Sequence, residues 1–125
     1  MKYHIANQAN IASAVKALKE KKVIIHSTDT IPGLACDATS DKAIKNIIEL
    51  KNRRGPFSII VERIRDIKNY SIINNDQLDI ISNLLPGPFT ILLKNNKKNE
   101  LSKLVTEDSE LIGFRIPNHA FTNNL

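Results

Sequence analysis

Hydroxyl-bearing residues concentrate in one short segment, residues 27–34, which contains Ser27, Thr28 and Thr30. The segment directly follows an apolar run at residues 23–26 that has the composition of a buried strand. Open α/β sheets commonly bind ligands at the carboxyl ends of strands, and hydroxyl and backbone donors in a Gly-containing turn suit a carboxylate or a phosphate. The same residues also suit an ordinary polar turn held by side-chain-to-backbone hydrogen bonds. The segment alone supports both interpretations.

A second group is basic and consists of Lys51, Arg53 and Arg54, at the C-terminal end of a helical pattern. The negative end of a helix dipole favours cations, which is one explanation. The other is a polyphosphate site, where Arg holds oxygens bidentately and Lys acts as a point charge. Ser58 follows at the start of the next predicted strand and would add a hydroxyl donor.

Arg115 lies inside an apolar strand pattern at residues 111–116. An arginine is costly to bury unpaired, so its side chain must meet an anion, supplied either by a ligand or by an ion pair. The three histidines, His4, His26 and His119, lack metal-binding spacing, and Cys36 is the only cysteine. Neither a P-loop nor a Gly-x-Gly-x-x-Gly fingerprint is present, so a nucleotide would bind without the common motifs.

The elements that must position these residues alternate between helices and strands. Hydrophobic periodicity predicts helices at residues 9–20, 40–51 and 75–85, with Ser40 capping the second and Gly55-Pro56 ending it. Strands are predicted at residues 3–6, 23–26, 57–61, 89–94 and 111–116, and loops at residues 27–37 and 95–103. This order predicts an α/β fold, with a mixed or partly parallel sheet flanked by helices, in a single domain spanning residues 1–125.

The composition limits the class of protein. The chain is 42% hydrophobic and 25% charged, which is typical of a soluble globular domain whose core relies on Ile and Leu. A net charge of +5 and a pI of about 9.4 favour anionic partners, either nucleic acid or nucleotide phosphates. No apolar run reaches membrane-spanning length and the N-terminus lacks a signal-peptide pattern. We therefore expect a cytoplasmic protein with no membrane partner.

Taken in order, these segments resemble the YrdC/Sua5 family of threonylcarbamoyl-AMP synthases. Residues 27–38 are similar to the family's Pro-Thr-Asp/Glu-Thr-x-Tyr-Gly-Leu-x-x-Asp-Ala motif, and residues 48–53 to its Lys-x-Arg helix end. Residues 56–61, 85–90 and 114–119 match the three later segments. The resemblance covers nearly the whole chain and implies a YrdC-like twisted mixed sheet flanked by helices.

The resemblance implies an enzyme with a nucleotidyltransferase-type reaction. L-threonine, bicarbonate or CO2 and ATP would give threonylcarbamoyl-AMP and pyrophosphate, and Mg²⁺ would accompany the ATP. A downstream threonylcarbamoyl transferase would then use the product to form threonylcarbamoyladenosine in tRNA. By this carry-over Thr30 and Arg115 hold threonine, Lys51 and Arg53 are catalytic and face the triphosphate, and Thr28 and Ser58 line the pocket.

The sequence also departs from the family pattern. Pro32 stands where Tyr is common, Arg54 replaces the usual Pro, and Ile60 takes the place of a His that touches threonine in many members. The family's later Ser-x-Asn segment is missing, so the domain is expected to be incomplete at its C-terminus. Two alternatives stay open: a non-catalytic RNA-binding module, and a carbamoyl-transfer domain of the type found in hydrogenase maturation.

Overall fold

Short strands alternate with helices along the chain. The computed structural model describes residues 7–125, and the strand predicted at residues 3–6 lies outside that range. The helices are α1 (Ile11–Lys19), α2 (Asp41–Lys51), α3 (Asn75–Ser82), α4 (Lys103–Thr106) and α5 (Ala120–Asn123), with 3-10 helices at Gln8–Asn10 and Ile64–Asn69. The strands are β1 (Ile24–His26), β2 (Gly33–Ala35), β3 (Ile59–Ile60), β4 (Ile91–Lys94) and β5 (Leu111–Arg115).

The main sheet has three strands in the order β3-β5-β4, with β5 in the centre. β3 runs parallel to β5, with Ile59 opposite Phe114, while β4 runs antiparallel to β5, with Ile91 opposite the same residue. The predicted mixed, partly parallel sheet is therefore confirmed. The strands at residues 57–61, 89–94 and 111–116 are also confirmed, with each one shorter than predicted.

β1 and β2 form a separate antiparallel pair, in which Ile25 lies opposite Leu34. Two sequence predictions are corrected here. The loop at residues 27–37 contains β2, and the strand at residues 23–26 is not fully buried, because Ile25 is 61% exposed. A strand with one hydrogen-bonded neighbour leaves much of its surface uncovered, and only His26 is buried in β1.

The core lies between one face of the main sheet and the helices. Phe114 of β5 is fully buried at its centre, and the surrounding members are aliphatic: Ile44, Ile59, Val61, Ile67, Ile81, Leu85, Val105, Ile112 and Ile116. Complete burial of each such side chain contributes about 1.5–3 kcal/mol. The predicted reliance on branched aliphatic residues is therefore confirmed.

Local signals set the helix ends. The Ser40 hydroxyl accepts a hydrogen bond from the backbone N–H of Ala43 and caps α2, as predicted. α2 ends at Lys51, the last residue of its predicted range, and its C-cap Asn52, with a left-handed φ of 49°, terminates it ahead of Gly55-Pro56. α3 ends at Ser82, three residues before its predicted end. No helix in residues 7–125 has the length and apolar character needed to cross a membrane.

Candidate active site

The turn after β1 is held by its own threonines. The Thr28 hydroxyl accepts a hydrogen bond from the Thr30 backbone N–H at 3.1 Å and donates to the Ile31 carbonyl at 2.9 Å. The Thr28 and Thr30 hydroxyl oxygens lie 3.1 Å apart. Thr28 therefore shapes the turn through side-chain-to-backbone bonds, as the structural interpretation of this segment expected.

Arg115, at the end of β5, reaches this turn from 85 residues further along the chain. Its Nη2 lies 3.2 Å from the Thr30 hydroxyl and 3.5 Å from Asp29 Oδ1. The side chains of Arg115 and Asp29 are 22% and 11% exposed, so this is a largely buried ion pair. Asp29 thus supplies the anion that a strand arginine requires.

Arg115 itself and His119, four residues later, each have a nitrogen atom without a hydrogen-bond partner in residues 7–125. Arg115 Nε and His119 Nδ1 are buried, and neither makes a hydrogen bond to any residue in the described range 7–125. Buried polar groups are nearly always paired, so unpaired nitrogen atoms of this kind are candidates for contact with a ligand or water. Arg115 therefore combines an Nη2 held beside the Thr30 hydroxyl with a buried Nε that has no partner in residues 7–125.

The basic residues line a cleft of about 960 Å³. Lys51, Arg53 and Ser58 belong to its wall, whereas Thr28, Thr30 and Arg115 do not. The structure therefore divides the six predicted site residues into two groups, one at the turn after β1 and one in the cleft. His26 also lines the cleft and adjoins the turn in sequence.

The main sheet connects the two groups. A Cβ on Gly113 would lie 3.2 Å from the Ser58 Cβ and 3.1 Å from the Thr90 Cγ2, so Gly113 is flanked by the residues that directly precede β3 and β4. Residues two apart in a strand share a face, which puts Gly113 and Arg115 on one side of β5. The face opposite the core therefore carries Ser58 from the cleft and Arg115 from the turn.

The helix-end cations differ in their contacts. The Arg53 guanidinium carbon lies 5.3 Å from the centre of the Phe57 ring, which is cation–π geometry. Arg54 forms an ion pair with Glu107 at 3.8 Å, and its side chain is 75% exposed. Lys51 is an exposed residue in the last turn of α2. Lys51 and Arg53 are therefore both available to an anion in the cleft.

The sequence interpretation did not assign roles to two of these residues, Asp29 and Gly113. Asp29 lies between the two candidate threonines, and the requirement of Arg115 for an anion was the signal that pointed to such a partner. Gly113 stands at the point where a side chain would press on Ser58 and Thr90. Because glycine has no side chain, Gly113 keeps that part of the sheet surface open.

The donor set is unlike that of a dedicated metal site. Residues 7–125 contain no group of three or more His, Cys, Asp or Glu side chains able to hold a metal ion. Within that range, Glu62 supplies the one acidic side chain on the wall of the cleft. Burial raises the pKa of the Cys36 thiol to about 11, so Cys36 is not an activated nucleophile.

A mixed sheet that carries an arginine–threonine cluster, together with a cleft lined by two cations, defines the class of this protein as an α/β domain. A family model described as "Telomere recombination", the Sua5/YciO/YrdC domain, matches residues 16–125. The chain therefore belongs to the Sua5/YciO/YrdC family.

Individual relatives support this assignment. The chain is similar to the threonylcarbamoyl-AMP synthase of Homo sapiens, with 32% identity over 92% of this chain and 41% of the human protein. It is also similar to the putative threonylcarbamoyl-AMP synthase of Methanocaldococcus jannaschii, with 35% identity over 88% of this chain and 52% of the relative. The chain thus spans about half or less of these proteins.

A solved structure shows the same fold. P. abyssi Sua5 complexed with L-threonine superposes with a TM-score of 0.82 and 21% identity, covering 94% of this chain and 35% of that protein. The predicted YrdC-like α/β fold is confirmed.

Proposed function

We propose that this chain supplies the threonine site and the triphosphate-facing cleft of a threonylcarbamoyl-AMP synthase. The observation that carries the proposal is Arg115, whose Nη2 is fixed by Thr30 and Asp29 while its buried Nε has no partner in residues 7–125. A small carboxylate is a fitting ligand for a fixed guanidinium with a free donor.

Threonine would bind at the turn after β1. Arg115 would hold its carboxylate, and the Thr30 hydroxyl, 3.2 Å from Arg115 Nη2, would contact the same substrate. Thr28 would act by shaping the turn, since its hydroxyl is bonded to Thr30 and Ile31. Two of the named relatives are threonylcarbamoyl-AMP synthases, one of them putative, and the Sua5 structure contains L-threonine.

ATP would place its phosphates in the cleft. Lys51 and Arg53 line it and would stabilise the charge that develops at the α-phosphate and on the leaving pyrophosphate. Ser58 would donate a hydrogen bond from the neighbouring strand. The open surface at Gly113 lies between Ser58 and the strand position of Arg115, so the two substrates would approach each other over this face of the sheet.

The remaining parts of the proposal concern cofactor, partner and compartment. Mg²⁺ prefers oxygen ligands and usually binds through substrate phosphates, which fits a cleft whose described lining has two cations and a single acidic side chain, Glu62. Bound to ATP, it would offset phosphate charge. Bicarbonate would be the third substrate, and a separate tRNA-modifying transferase in the cytoplasm would consume the product.

Calorimetric titration of the chain with L-threonine tests the proposal. We expect Arg115→Ala to weaken threonine binding by about tenfold or more, because a hydrogen-bonded charge is lost. Arg65→Ala is the matched control, since Arg65 is an exposed cation near the 3-10 helix start and belongs neither to the cleft wall nor to the turn after β1. Titration with ATP and Mg²⁺ should show the reverse pattern, with Lys51→Ala and Arg53→Ala weakened and Arg115→Ala little changed.

Two outcomes would contradict the proposal. One is the absence of threonine binding by a wild-type chain that unfolds cooperatively on heating. The other is equal threonine affinity in wild type and Arg115→Ala.

A further inference from the structure

Asp29 makes contacts that no role in substrate binding yet accounts for. Its Oδ1 lies 3.5 Å from Arg115 Nη2, and its Oδ2 accepts a hydrogen bond from the Asn118 backbone N–H at 2.8 Å. Arg115 ends β5, and Asn118 lies three residues later. The Asp29 carboxylate therefore binds both the guanidinium of Arg115 and the backbone N–H of Asn118, just after the strand.

The turn that carries Asp29 is itself restrained. Thr28 is hydrogen-bonded to the Thr30 N–H and to the Ile31 carbonyl, so the residues on both sides of Asp29 are fixed. The Asp29 side chain is only 11% exposed, which shields its charge from solvent. A buried carboxylate on a rigid turn holds its partners more firmly than an exposed one.

These contacts have a consequence for Arg115. A free arginine side chain is flexible and loses that freedom when it binds a ligand. Asp29 and Thr30 occupy Nη2, and the buried Nε is left without a partner among the described residues. The contacts thus fix the guanidinium beforehand by holding Nη2, and they leave its other N–H donors for a ligand.

We infer that Asp29 is a positioning residue for substrate binding, which holds Arg115 in the orientation that receives the carboxylate of threonine. This inference rests on the proposed function, because it takes threonine as the ligand of Arg115. Asp29 does not touch the substrate and acts through Arg115 and Asn118. Removing its negative charge should release the guanidinium, although the positive charge of Arg115 remains.

The test compares L-threonine affinity, by calorimetry, in the wild-type chain and in Asp29→Asn, Asp29→Ser and Asp29→Glu. We expect Asn and Ser to weaken binding by about tenfold, the effect of one charge-assisted hydrogen bond. Glu keeps the carboxylate and should restore affinity to within a few-fold. Asp79→Asn is the matched control, because Asp79 is an exposed aspartate on α3. Affinity for ATP with Mg²⁺ should be unchanged in all four variants.

A second readout follows Arg115 directly. The NMR signal of its Nε–H group, assigned by its loss in Arg115→Lys, should be sharp in the wild-type chain and broadened or shifted in Asp29→Asn. This readout needs no ligand. It therefore separates the orientation of Arg115 from the binding of threonine.

The outcomes are distinguishable. Unchanged threonine affinity in Asp29→Asn and Asp29→Ser, in a chain that binds threonine, overturns the inference and leaves the proposed function intact. A parallel loss of ATP affinity or of cooperative unfolding shows that Asp29 only stabilises the fold, and this also overturns it. If the folded wild-type chain binds no threonine, the proposed function fails, and an unaltered Nε–H signal in Asp29→Asn then overturns the positioning of Arg115 as well.

Discussion

The guanidinium carbon of Arg53 lies 5.3 Å from the centre of the Phe57 ring, and both residues line the basic cleft. Phe57 is anchored in turn, since its backbone N–H donates to the Val105 carbonyl at 2.8 Å. A guanidinium that packs on an aromatic face keeps the N–H donors at its own edge uncovered, so these donors stay available to an anion. The position of Arg53 is therefore set by its neighbour four residues later.

Replacement of Phe57 tests this at the scale of single residues. Phe57→Leu keeps an apolar side chain but removes the aromatic face, so we expect ATP affinity to fall by about two- to five-fold, the size of an exposed cation–π contact. Phe57→Tyr should retain wild-type affinity, and threonine affinity should not change in either variant. Calorimetric titration with ATP and Mg²⁺ measures the effect. Equal ATP affinities in Leu and wild type would show that the stacking does not serve the cleft.

At the scale of elements, the ends of the helices determine where residues of the cleft lie. α2 begins at its Ser40 cap and ends at its Asn52 cap, so Lys51 falls in its last turn, on the wall of the cleft. The residues after α1 are tied to the segment before α2 by an ion pair between Lys21 and Asp37. Asp37 also accepts hydrogen bonds from the Thr39 N–H and hydroxyl. This carboxylate therefore links α1 to the entry of α2.

The pKa of Asp37 makes that link dependent on pH. The hydrogen bond from Lys21, followed by those from Thr39, outweighs burial and lowers the pKa of Asp37 from 3.8 to about 2. A lowered carboxyl pKa contributes stability above pH 4, and this stability is lost as the pH falls from about 4 to about 2. Asp37→Asn should lower the free energy of unfolding at pH 7 by about 1 kcal/mol, reduced from the full shift by solvent around the exposed lysine.

Thermal unfolding of wild type and Asp37→Asn at pH 7 and pH 2 checks this expectation. The difference between the two proteins should be present at pH 7 and much smaller at pH 2, where about half of the native Asp37 carboxyl is protonated. Asp79→Asn serves as the control and should match wild type at both values. A difference of the same size at both pH values would mean that Asp37 stabilises the chain by something other than its charge.

At the scale of the whole molecule, a buried hydrogen-bond network joins β1 to α5. His26 Nδ1 lies 3.1 Å from the Thr122 hydroxyl, a partner 96 residues away, and 3.1 Å from the Ser27 carbonyl. The Thr122 hydroxyl donates to the same carbonyl at 2.9 Å. His26 is only 4% exposed. The network therefore fixes the end of β1, and with it the turn that holds Thr28 and Thr30, against α5.

His26 should make the stability of the chain fall in mild acid. Burial lowers the pKa of His26 below 6.5, and the nearby charges of His119 and Arg115 lower it further, against the opposing bond to Ser27. A lowered histidine pKa means that the unfolded chain takes up the proton first, so stability is lost as the pH falls below about 6.5. The melting temperature should decrease from pH 7.5 to 5.5 in wild type.

The matched variants are His26→Gln and His119→Gln. His26→Gln retains a polar side chain that can bond Thr122 but cannot titrate, so its melting temperature should change less between pH 7.5 and 5.5. His119→Gln should keep most of the dependence. Identical pH dependence in wild type and His26→Gln would assign the effect to another group.

The sequence by itself determined the features that depend on near neighbours. The α/β order, the Ser40 cap and the hydroxyl-rich turn after β1 follow from local periodicity, capping and turn chemistry, because the interacting groups are only a few residues apart. The need of Arg115 for an anion was equally predictable, since burial of a lone charge is costly wherever it occurs. Membership of the family was also evident from the order of the motifs.

Only the tertiary structure decided which groups meet. Asp29 and Arg115 are 86 residues apart, and nothing local distinguishes their ion pair from a ligand contact. The same holds for the separate β1–β2 pair with its exposed Ile25, and for the division of the six site residues between turn and cleft. Strand pairing and side-chain burial are set by packing between distant segments, and that packing overrides what each segment prefers by itself.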